Sequence, residues 1–140
     1  MPSGTAQHTC RLRYFELPNY WEEKVEEIFS YDHLLARLAE ISRNFQPEKN
    51  ERISVFVENQ EGDLLHLGLG SSEWVIIFHG QDGKCLVSIG DETAEGCQPF
   101  LFPEWTDLPK KHLIAVSDGQ KVLRRWFETG TLSDLVSWME

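Results

Sequence analysis

Basic residues are scarce in one long stretch of this chain. Between Glu58 and Asp107 stand ten carboxylates and a single base, Lys84, so the stretch carries a formal −9 of the −10 for all 140 residues. The other 90 residues hold thirteen acids and twelve bases and are almost neutral. A phosphate-binding surface is built on clustered Lys and Arg. Only Lys110-Lys111 and Arg124-Arg125 offer paired bases, which argues against nucleic acid as a partner.

Long apolar runs are missing too. No run approaches the ~18 residues a membrane helix needs, and the first residues lack the charged start and apolar block of a signal peptide. A soluble, cytoplasmic chain with no membrane partner is expected. Cysteine is sparse: Cys10, Cys85 and Cys97 are three, with no CxxC pair. Free thiols in a reducing compartment are the simple account, with a Cys85–Cys97 bridge as the alternative.

Catalytic signatures are absent as well. The five histidines (His8, His33, His66, His79, His112) have no HExxH or other two-ligand spacing, so no metal is expected. Gly68-Leu69-Gly70 leads into another strand, not a helix, and so lacks the context of a dinucleotide or phosphate loop. The acids of the Gly90–Cys97 loop lack the alternating Asp/Asn spacing of an EF-hand. The His-x-Glu and Pro-Cys-x-x-Cys signature of zinc deaminases is missing. Neither a cofactor nor an enzymatic activity is expected. One small catalytic pocket stays conceivable, assembled from His66, His79 and Cys85 across neighbouring strands, although Cys85 in mid-strand reads as core.

What is present is a β-rich chain with 41% apolar residues, enough to fill one core. Residues 1–8 read as a disordered arm and 9–140 as a single domain. Cys10–Leu17 alternates like a strand. Tyr20–Phe29 is ambiguous between helix and strand, with Lys24–Phe29 favoured as a strand. Ser30–Asn44 is the clearest helix, with Ser30 as cap and an apolar stripe of Tyr31, Leu34, Leu35, Leu38, Ile41 and Phe45. Strands follow at Arg52–Val57, Leu64–Leu69, Trp74–His79, Lys84–Ile89 and Gln98–Phe102. The Asp82-Gly83 hairpin and short connections make neighbours antiparallel. A second helix over Asp118–Thr129, capped by Ser117 or Asp118 and ended by Gly130, precedes a last strand over Leu135–Trp138. The expected fold is α+β: an antiparallel meander sheet of five to seven strands with two packed helices.

An ordered set of short features adds to this. Gly68-Leu69-Gly70, Asp82-Gly83, Ser88-Ile89-Gly90-Asp91, Phe102-Pro103-Glu104, Leu108-Pro109, Phe127-Glu128-Thr129-Gly130 and Val136-Ser137-Trp138 occur in one sequence. In that order the chain resembles immunity protein family 1 of bacterial polymorphic toxin systems, over roughly residues 24 to 140. The resemblance implies a non-enzymatic inhibitor of a cognate toxin domain, often of deaminase type, that covers the active site or substrate path. The charge fits independently, because an enzyme acting on nucleic acid needs a basic groove that an acidic surface can occupy. Candidate contacts are Glu73, Asp91, Glu92, Glu95, Glu104 and Asp107, with Trp74, Phe102 and Trp105 as aromatic anchors. An adaptor for some other basic protein is the alternative.

Overall fold

Two tight turns set the pairing from which the sheet grows. The computed structural model describes residues 9–15, 23–44, 52–70, 72–102 and 104–140, without the side chains of 15, 44, 52 and 100–105. The expected N-terminal arm, residues 1–8, lies outside them. Strand β3 (Arg52–Asn59) turns into β4 (Leu64–Leu69) through Asn59, whose Oδ1 accepts the Asp63 amide at 2.9 Å. Strand β5 (Glu73–His79) turns into β6 (Cys85–Ile89) where Asp82 Oδ1 accepts the Lys84 amide at 3.0 Å and Gly83 takes φ +85°. Side-chain oxygens that stand in for backbone acceptors are why Asn and Asp occupy such turns.

Six further strands complete the ten-stranded sheet. Four of them are β1 (Cys10–Phe15), β2 (Glu23–Ile28), β7 (Cys97–Phe102) and, nearest the end of the chain, β10 (Ser137–Met139), and the linear order is β10-β6-β5-β4-β3-β1-β2. Of these, β7 lies off the linear order. It forms a hairpin with β8 (Glu104–Pro109), and β9 (Ile114–Ala115) is a two-residue strand. The ambiguous Tyr20–Phe29 segment is thus a strand over Glu23–Ile28, paired antiparallel with β1 and ending one residue before the expected Phe29. The fold is α+β, an antiparallel meander with two helices.

Both β3 and β5 divide their outer edge between two partners. Residues 56–59 of β3 pair with β1, while Arg52 and Ile53 pair in parallel with Phe100 and Leu101 of β7. Likewise Ile77–His79 of β5 pair with β6, and Glu73 and Trp74 pair with β9. This lets the β7–β8 hairpin and the following 3-10 turn (Lys110–His112) lie beside the lower ends of the central strands. Parallel β3–β7 pairing departs from the wholly antiparallel expectation. It is possible because 37 residues, 60–96, separate the two strands, long enough to cross over.

The alternate residues of the central strands, Ile53, Val55 and Val57 with Leu65, Leu67 and Leu69, form one buried face. Helix α1 (Tyr31–Asn44) lays Leu34, Leu38 and Ile41 on it, and α2 (Val116–Thr129) lays Val122, Leu123 and Trp126. At roughly 1.5–3 kcal/mol per large apolar side chain, burial outweighs helix propensity in holding both elements. Ser30 Oγ accepts the His33 amide at 3.1 Å, the cap expected for α1. The α2 start differs from expectation: the helix begins at Val116 after Ala115, with no side-chain cap, and Asp118 sits in the first turn. Tyr31 joins the helices by donating its hydroxyl to Gln120 O at 2.6 Å.

A polar clasp ties α1 to the β1–β2 edge. Arg37 donates from Nε to Glu26 Oε1 at 2.8 Å and from Nη2 to Glu26 Oε2 at 2.7 Å. Arg37 Nη2 also reaches the Tyr14 hydroxyl at 3.0 Å, and that hydroxyl donates to Glu26. Arg37 is thereby the main cause holding the Glu26 carboxyl below its ordinary pKa of 4.5. Charge-assisted bonds to a half-buried pair contribute about 1.5–3 kcal/mol, so Arg37→Met should lower unfolding free energy by about that much at pH 7. Because the folded Glu26 pKa is depressed, its contribution is fully present above pH 4.5 and fades as acid protonates the folded carboxylate. The gap between variant and wild type should therefore narrow in urea melts below pH 4.5, and a gap constant with pH would refute the assignment.

Candidate partner-binding surface

The loop between β6 and β7 is braced at both ends by the segment that follows β8. Gly90 N donates to Lys111 O at 2.8 Å, and Lys110 N donates to Gly96 O at 3.0 Å. A Cβ on Gly90 would lie 1.9 Å from Leu113 O, so only glycine lets the chain pass there. Within the loop Asp91 Oδ1 accepts the Thr93 amide at 2.9 Å and its hydroxyl at 2.6 Å, and these two bonds lower the Asp91 pKa. Ala94 N closes the turn on Asp91 O at 3.0 Å. Asp91, Glu92 and Glu95 are all exposed on this pinned loop.

Further acids stand at the same end of the sheet. Extending the Ile77–Val87 pairing by two residues sets Val75 opposite Ile89, so Glu73 and Gly90 leave β5 and β6 at one end. Glu73 is exposed there, opposite Ala115 of β9. Exposed Asp107 lies in β8, opposite Pro99, two residues before the Pro109 that pairs with Cys97 at the loop's exit. The fold thus gathers Glu73, Asp91, Glu92, Glu95 and Asp107. It also brings Lys110 and Lys111 to the base of the same loop, so the acidic end is partly offset by two bases that follow it in sequence.

The aromatic anchors fare differently. Trp74 is 5% exposed, between Leu69 and Ile114 in the sheet and under α2, where a Cβ on Gly119 would lie 2.7 Å from its Cε3. It is a core residue and offers no surface. The side chains of Phe102, Glu104 and Trp105 lie outside the described residues. Nor are all acids of the stretch free: Glu58 pairs with Arg13 at 3.2 Å on the sheet's helix-free face.

That face also bears the histidines considered for catalysis. His66 is buried, stacked on Phe56 with ring centroids 3.8 Å apart, and its Nε2 lies 2.9 Å from Ser54 Oγ. Burial first, and His79 nearby second, push its pKa down to about 3. His79 pairs directly opposite Cys85. Cys85 is exposed at the hairpin end of β6, not in the core as its run of apolar neighbours suggests, and Cys97 is exposed too. All three cysteines are free, and burial raises the Cys10 thiol to about 12, which leaves it unreactive. His66 is packed as a neutral, satisfied side chain, which does not suit a proton shuttle near neutral pH. Among the described residues no group of three His, Cys, Asp or Glu is placed to hold a metal ion.

No helix among the described residues is long and apolar enough to cross a membrane. Fold and surface together define a small α+β domain with a rigid acidic loop at one end of its sheet. Neither a protein-family model nor a curated protein matches the chain.

Proposed function

We propose that this chain is an immunity protein, which binds a cognate toxin domain and blocks its active site or substrate groove. The observation that carries the reading is the exposed loop Asp91–Glu95, held at Gly90 and Gly96 by backbone bonds. A pinned loop loses little conformational freedom on binding, so its carboxylates meet a basic groove already ordered. Glu73 and Asp107, exposed at the same end of the sheet, add to the negative surface. The ordered likeness to immunity protein family 1 supports the same reading and favours a nucleic-acid-acting toxin, whose basic groove an acidic surface complements. The site of action is the cytoplasm, where such a toxin meets its substrate.

The reading requires a toxin gene beside this one, and the test is co-expression of the two. Growth should be restored, and the two proteins should co-purify. Cells that die while the folded chain accumulates, with no complex recovered, would sink the proposal.

A further inference from the structure

A groove of about 590 Å³ opens at the opposite end of β6 from the acidic loop. Its floor is apolar: Phe78, Leu86, Leu132 and Trp138 line it, each only half-buried. The Trp138 indole N–H is already used, donating to Ser133 O at 2.9 Å, so the ring offers the groove apolar and π surface. Around this floor stand Asp63, Asp82 and Asp134, against the single base Lys84. Asp63 and Asp82 each spend one oxygen on a turn amide, that of Gln81 at 3.2 Å and of Lys84 at 3.0 Å.

A separate feature marks the same place. Of the four exposed large apolar side chains among the described residues, Leu135 at 49% belongs to the segment that walls the groove, whereas Met139, opposite Val87, lies on the other face of the sheet from Trp138. That segment ends in β10, the last strand of the main sheet, which has no strand on its outer side among the described residues. Apolar surface beside an open sheet edge is characteristic of protein docking sites.

The chemistry selects the occupant. Three carboxylates repel anions, and a wholly apolar ligand would leave them without use. The side chain that needs both an apolar bed and a negative rim is arginine. Its stem packs on Trp138 and the leucines, while its planar guanidinium stacks on the ring and forks to carboxylates. We infer that this groove docks an arginine-bearing apolar segment of a protein partner. The inference does not depend on the toxin reading, since β6 sets the groove and the acidic loop roughly 16 Å apart.

The probe is an amidated peptide, acetyl-Gly-Leu-Arg-Leu-Arg-Gly, titrated at low salt into the full 15N-labelled chain. A twin carries citrulline in place of arginine, keeping shape and losing charge. The arginine peptide should move the Trp138 indole resonance and the amides of Gly80–Lys84 and Gly130–Asp134. The citrulline twin should bind about tenfold more weakly, as should the arginine peptide to an Asp82→Asn/Asp134→Asn variant. Asn at 82 retains the oxygen that caps Lys84, so the turn survives, and the variant's amide spectrum verifies the fold. Equal binding of the citrulline twin, shifts confined to the 90–96 loop, or no movement of Trp138 would each overturn the inference.

Discussion

Acid should begin to destabilise this protein below about pH 6.5, well above the range where carboxylates protonate. The cause is His66, which the fold keeps neutral between Phe56 and Ser54 with a pKa near 3, against 6.5 in the open chain. A base whose folded pKa is depressed binds its proton more readily in the unfolded chain. Its stabilising effect is therefore complete above pH 6.5 and is lost as pH falls towards 3. Each pH unit inside that window removes about 1.4 kcal/mol, so roughly 2–3 kcal/mol should be gone by pH 4.5. For a domain of ordinary stability that is a large share. His66→Gln removes the titration while keeping polar atoms near Ser54 Oγ. The variant starts less stable at pH 7.5, but its urea midpoint should fall more gently with acid than that of wild type. Parallel pH slopes for the two proteins would assign the acid sensitivity elsewhere.

The same histidine shows how far sequence could reach. Leu64–Leu69 reads as a strand from its alternation, and its bounds hold, because period-two patterning is local. Helix α1 is equally legible, since Ser30, Asp32 and the Leu34–Leu38–Ile41 stripe all lie within fifteen residues. Burial is a property of what arrives from elsewhere. His66 and Trp74 look alike from the sequence, a polar or amphipathic side chain in an apolar strand. What buries Trp74 is Gly119, 45 residues later, which lets α2 approach its ring. Strand β8 is hard to read from the sequence because its last residue is Pro109, whereas proline is tolerated where an edge strand ends.

Of the candidate contacts, the loop acids were legible and their setting was not. Gly90 and Gly96 lie in the loop expected from Gly90 to Cys97, but their bonds to Lys111 and Lys110 join segments that sequence keeps fourteen or more residues apart. That pairing matters for charge as well as rigidity. The −9 stretch stops at Asp107, and the fold returns two lysines to the base of its exposed 90–96 loop. An acidic surface with a built-in offset invites a measurement in both directions.

Association with the proposed toxin partner should slow by about 10- to 1,000-fold at low salt when the loop's charge is reversed, with dissociation changing much less. The variant is Asp91→Asn/Glu92→Lys/Glu95→Lys. Asn is chosen at 91 because Asp91 Oδ1 accepts both Thr93 bonds, and an amide oxygen can keep them. Exposed charges act on an approaching partner over about a Debye length, near 10 Å at 0.1 M salt. The loss should therefore shrink as salt is added, which distinguishes steering from a broken contact. The complementary variant, Lys110→Glu/Lys111→Glu, removes the offset at the loop's base and should speed association under the same conditions. Opposite signs from two adjacent segments are hard to obtain through misfolding, which would slow both. If neither variant alters the on-rate at low salt, the toxin does not approach this end of the sheet, whatever growth assays report about protection.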